Sequence, residues 1–160
     1  MNGYPKFFFL LVFTILVILL ISGVLLVPAF LFFRMESNIA WLMDFPFSSG
    51  DLRHLTTSLH AISGWLMVWF IGAIWTIHMR SHWRRHENRL SGVVFTSVWA
   101  FLIVSSLGIY YFGDPDLSQL SSLIHVGLGL LIPFALLAHR KAGRKSLQAK
   151  VSSYKTARPG

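Results

Sequence analysis

Four apolar runs alternate with short polar stretches along the chain. The first lies between Lys6 and Arg34 and holds no charged residue. The others extend from about Asp51 to Met79, from Leu90 to Phe112 and from Pro115 to His139. Each is long enough for a helix that crosses the hydrocarbon core, which needs about 20 residues. The pattern predicts an all-α, integral membrane four-helix bundle with helices over about 7–33, 52–79, 90–112 and 115–139. These form one domain, residues 1–142, and a basic polar tail follows over 143–160. The first run is longer than the about 7–15 residues of a signal-peptide core and lacks a clear small-residue cleavage site, so it is expected to be a retained helix. Pro28 is expected to kink its far end. The aromatic stretch SNIAWLMDFPF in the first loop is expected to lie along the membrane surface. Ser49 or Asp51 is the expected cap of the second helix, and Asp114 with Pro115 the start of the fourth. Gly92, Ser105, Ser106 and Gly108 give the third helix small residues for close packing.

Composition narrows the chemistry. The chain is 54% hydrophobic and 12% charged, about half the charge fraction of soluble domains. It has no cysteine, which excludes disulfides, thiolate metal sites, iron–sulfur clusters and haem attached through CxxCH. A net charge of +8 would suit nucleic acid, but the cations sit between and after the apolar runs and read as topology signals. The N-terminal segment, the second loop and the tail carry one, four and seven Lys or Arg, against Arg34 and Arg53 in the first loop and none in the third. The positive-inside rule then predicts cytoplasmic N- and C-termini.

Histidine is costly inside a membrane unless it is paired or bound. The second run reads HAISGWLMVWFIGAIWTIHMR from His60, and the fourth reads HVGLGLLIPFALLAHR from His125. Helices two and four run in the same direction. His60 follows Asp51 by nine residues and His125 follows Asp114 by eleven, while His78 and His139 lie just before Arg80 and Arg140. Each of two depths is therefore expected to offer one imidazole from each helix, the arrangement needed for bis-histidine haem ligation. His60 and His78 are 18 apart, five turns at about 3.6 residues each, whereas His125 and His139, 14 apart, fall about 40° short of alignment. The axial separations, about 27 Å and about 21 Å, differ by about 6 Å. Tilt of helix two or distortion at Pro133 is expected to absorb the difference. Gly64 and Gly129 each follow the first histidine of their helix by four residues, on the same face one turn on, where a missing side chain leaves room for a porphyrin.

Other histidines allow other readings. His82 and His86 continue from His78 at i+4 and i+8, a zinc-type ladder with only Glu87 nearby; they read rather as interfacial residues in a basic loop, with His82 also an alternative to His78 as iron ligand. His54 is read as structural, with a quinone or redox partner as its other role. Arg80, Arg84, Arg85, Arg140 and Lys141 suit topology and lipid headgroups, with one or two, Arg80 and Arg140 foremost, available to haem propionates. The tryptophans Trp65, Trp69, Trp75 and Trp83 read as lipid-facing or interfacial.

The order of LHAISGW…IHMRSHW, a helix with SG…SSLGIYYF, and LIHVGLG…LLAHR resembles the small four-helix di-haem b-type cytochromes of bacterial membranes. Their relatives include the cytochrome b subunits of hydrogenases and formate dehydrogenases and the superoxide oxidase type. Over residues 50–142 the resemblance implies two haem b groups held by His60, His78, His125 and His139, electron exchange with membrane quinone, and a place in the bacterial inner membrane. The spacing in helix two is longer than that family leads one to expect. The expected function is transmembrane electron transfer between quinone and an outer-face c-type cytochrome or dehydrogenase subunit, within a respiratory or photosynthetic complex rather than as a stand-alone enzyme. Two alternatives stand beside it: a haem b oxidoreductase acting on superoxide or ferric ion at the outer face, which acidic outer loops disfavour, and a haem-free membrane scaffold or assembly subunit.

Overall fold

The computed structural model describes residues 5–84 and 88–156, with the side chains of residues 77, 82 and 150–156 left aside. The chain is all-α. Among the described residues, four helices are long and apolar enough to cross a membrane: Lys6–Phe33, Gly50–Ile74, Arg89–Tyr111 and Pro115–Ala149.

The first span is two helices, α1 (Lys6–Leu25) and α2 (Val27–Phe33). Pro28 has no N–H to offer the carbonyl of Val24, and the helix is interrupted at Leu26, two residues before it. A short α3 (Trp41–Asp44) follows, with Leu42 fully buried and Trp41 exposed. Helix α4 (Gly50–Ile74) has Ser49 at its N-cap position, but no side chain caps it. Neither Ser49 nor Asp51 therefore serves as the side-chain cap; Gly50 at φ +66° turns the chain into the helix instead.

The α4 run passes through a π-helical turn, Trp75–Met79, into α5 (Arg80–Arg84). Asn88, at φ +47°, leads into α6 (Arg89–Tyr111). Asp114 caps the last helix as expected, its Oδ1 accepting from the Leu117 N–H at 2.9 Å.

Helix α7 (Pro115–Thr156) runs past His139, where the apolar run ends. The stretch expected as a separate tail is thus helical to Thr156. Its Lys, Arg, Ala, Leu and Gln are good helix formers, and polarity removes a helix from lipid without ending it. Pro133 lies inside α7 without breaking it.

The helices pack as two antiparallel pairs. Helix α1 lies on α4, with Phe8 against Phe70 at one end and Ser22 against His60 towards the other. Helix α6 lies on α7, tightly at Gly108, where an added Cβ would collide with Ser121 and with the Phe112 ring. Few backbone positions of α4 and α7 approach each other closely. Side chains face across between these two helices, and the histidines are among them.

Candidate functional site

Two pairs of imidazoles bridge the space between α4 and the π turn on one side and α7 on the other. The rings of His60 and His125 have centroids 6.2 Å apart and planes at 81°. Those of His78 and His139 are 6.4 Å apart at 77°. The four histidines singled out by spacing are therefore brought together as the two expected pairs.

The π turn accounts for the bearing of His78 towards His139. A π turn advances about 80° per residue where an α-helix advances about 100°. His78 sits three residues into the turn, so it lags the bearing of a straight helix by about 60°. His139 lags His125 by about 40°, the drift of two heptads in a left-handed supercoil. A similar lag on both helices keeps the rings facing as the helices wind. The distortion sits at Trp75–Met79 and not at Pro133.

The neighbouring helix of each pair orients the ring. The Nδ1 of His60 lies 3.1 Å from the Leu19 carbonyl and 3.1 Å from Ser22 Oγ, and that hydroxyl donates to the Ile18 carbonyl at 2.7 Å. The Nδ1 of His125 lies 3.1 Å from the Leu102 carbonyl and 3.2 Å from Ser105 Oγ, which also donates to Leu102 at 3.1 Å. A carbonyl has no proton, so Nδ1–H donates in both rings and Nε2 carries the lone pair. The same local motif, a carbonyl with a serine three residues on, occurs on α1 and on α6. At the other level Ser91 Oγ lies 2.9 Å from His139 Nδ1, and Phe95 stacks on that ring at 5.1 Å. Gly23 packs closely beside His60: an added Cβ would stand 3.0 Å from Cε1 and push the ring by a few tenths of an ångström.

These anchoring residues were missed as a set in the sequence reading, which noted Ser105 only for its size. Ser91 and Ser105 are 14 residues apart, as are His125 and His139. On antiparallel helices that equality pairs Ser105 with His125 and Ser91 with His139, so the signal was present. Ser22 and Gly23 are small residues inside a run otherwise dominated by large apolar ones.

The remaining candidates divide. An added Cβ at Gly129 meets nothing within 4 Å, leaving open space beside His125, whereas at Gly64 it would touch Leu19 at 3.8 Å. Gly64 therefore borders α1 as well as its own histidine. Arg80 and Arg140 are exposed. Arg80 lines an open cleft with Thr76, Ser81 and Arg84, about half a turn round the helix from His78, and so does not join the histidine pair. His54 is exposed. The His82 side chain, Arg85, His86 and Glu87 lie outside the described residues. Among the described residues no group of three or more His, Asp or Glu could hold an ion. Trp65, Trp69, Trp75 and Trp83 are all more than half exposed, as lipid-facing or interfacial residues are.

Comparison with protein-family models, with curated proteins and with solved structures gives no match to this chain.

Proposed function

We propose that this chain is a transmembrane electron-transfer protein that holds two b-type haems, one between His60 and His125 and one between His78 and His139. The observation that carries the reading is the pair of facing imidazoles at each of two levels. An imidazole nitrogen binds a metal at about 2.0 Å, so two rings on opposite sides of one ion have centres about 6 Å apart. The ring separations here are 6.2 Å and 6.4 Å. At the His60 level both Nε2 lone pairs are left without a proton by the carbonyls that hold Nδ1. A neutral imidazole binds iron through such a lone pair.

The donor set favours iron in a macrocycle over a bare ion. Structural zinc takes four protein ligands, whereas a porphyrin supplies its own four and asks the protein for two axial nitrogens. The open side of Gly129 leaves room for a flat group beside His125. Arg140, next to His139, is the cation kept for a propionate; Arg80 faces elsewhere. When bound, haem b supplies a one-electron carrier at each level. With one histidine from each helix holding the group, the site would suit electron exchange and not oxygen binding. The serines and carbonyls hold each ring and raise its basicity through Nδ1.

On this reading the chain is a subunit of a respiratory or photosynthetic complex in the bacterial cytoplasmic membrane, with both termini cytoplasmic. It exchanges electrons with membrane quinone and with a c-type cytochrome or dehydrogenase subunit at the outer face. A reduced-minus-oxidised visible spectrum of the purified chain tests the proposal. A b-type α-band with two haems per chain is expected, falling to one in His60→Ala or His125→Ala. Absence of the band overturns the cofactor; retention of both haems in these variants overturns the ligand pairing.

A further inference from the structure

The cleft at the His78 end has chemistry of its own. It is open, has a volume of about 510 Å³ and is lined by Thr76, Arg80, Ser81 and Arg84. Thr76, Arg80 and Arg84 follow one another at i+4 on a single face. His78 lies two residues from both Thr76 and Arg80, nearly half a turn away, so the cleft opens away from the imidazole pair. Among the described residues that line it there is no carboxylate.

Charge is sorted along the molecule in the same sense. Five of the six acidic residues, Glu36, Asp44, Asp51, Asp114 and Asp116, are at the His60 end, in the loops and first turns there. Arg80 and Arg84 both line the cleft, at the end of the apolar α4 run. Guanidinium forks match phosphate oxygens bidentately. Ser81 adds a hydroxyl donor, while the Thr76 hydroxyl already donates to the Ala73 carbonyl at 2.8 Å.

The surface leading to the cleft is apolar. Trp65 and Trp69 are exposed on the same face of α4, at 72% and 71%. Between them and the cleft lie the small residues Gly72 and Ala73, and a Cβ added at Gly72 meets nothing within 4 Å. An apolar helix face that runs from two exposed tryptophans over two small residues to two arginines suits an amphiphile: an acyl chain along the helix and a phosphate ester in the cleft.

We propose that Arg80, Arg84 and Ser81 bind the headgroup phosphate of an anionic phospholipid, whose acyl chain lies along the Trp69–Gly72–Ala73 face. The site is independent of any cofactor between the histidines. Its test is thermal unfolding of the purified full chain in neutral detergent, titrated with phosphatidylglycerol, phosphatidylcholine or inorganic phosphate. Phosphatidylglycerol is expected to raise the midpoint, and the other two are not. Arg80→Gln with Arg84→Gln is expected to weaken phosphatidylglycerol binding about thirtyfold, about fivefold for each cation. Arg144→Gln with Lys145→Gln, which removes equal charge from the same end, is expected to leave it unchanged. Arg84→Gln alone carries the comparison if the double variant does not fold. Equal weakening in the two double variants overturns a defined site. Equal stabilisation by phosphatidylcholine overturns headgroup recognition, and equal stabilisation by inorganic phosphate overturns the lipid assignment.

Discussion

A hydrogen bond from Nδ1 to a main-chain carbonyl settles which nitrogen of His60 and His125 is basic. The carbonyls of Leu19 and Leu102 accept that bond, and Ser22 and Ser105 stand beside them within reach of the same nitrogen. Losing such an outer partner costs about tenfold to a hundredfold in metal affinity. Ser105→Ala leaves Leu102 in place, so a loss near tenfold is expected, measured as haem retained per chain after repeated detergent exchange. Ser106→Ala is the control. Its hydroxyl donates to the Ile103 carbonyl at 2.7 Å on its own helix, and no change is expected. The paired histidines were legible in the sequence because His60 and His125 lie at similar distances from their helix starts and His78 and His139 each just precede an arginine. The serines could have been found by the same arithmetic, since Ser91 and Ser105 repeat the interval of His139 and His125. The carbonyls could not, because every residue has one and only packing selects Leu19 and Leu102.

The elements are set by two kinds of force. Length and apolarity determine where the four spans lie, and the observed helices begin within two residues of the expected starts. Their ends depend on something else. Helix α7 continues to Thr156 because nothing in its polar half breaks a helix. The π turn at Trp75–Met79 has no composition signal, yet it brings His78 round to His139. Contact between elements is also uneven. Helix α6 meets α7 tightly at Gly108, so Gly108→Leu is expected to destabilise the chain by about 1–3 kcal/mol through overpacking. Gly72→Leu, where a Cβ meets nothing within 4 Å, is expected to be close to neutral. Thermal unfolding in detergent distinguishes the two. Because Ser91 and Ser105 ride on α6, the Gly108 variant is also expected to lower haem retention at both levels.

At the scale of the whole molecule the arrangement is two antiparallel helix pairs facing each other across two levels of histidine. Charge is graded along the long axis, with the cations crowded at the His78 end. The positive-inside rule then predicts that a fluorescent protein fused at either terminus is bright and an alkaline phosphatase fused there is inactive. A phosphatase inserted in the loop after Gly113 is expected to be active. The reverse pattern would invert the topology and put the arginine cleft on the outer leaflet.

The sequence by itself determined the all-α class, the four spans, the two histidine-bearing helices and the charge gradient. Each is a property of periodicity and composition, which act locally or through the bulk solvent. Tertiary structure alone decided how His78 is brought round to bear on His139 and which carbonyls hold the rings. Those outcomes depend on a few tens of degrees of helix winding and on which backbone atoms a neighbouring helix presents. No residue identity at the site itself encodes either.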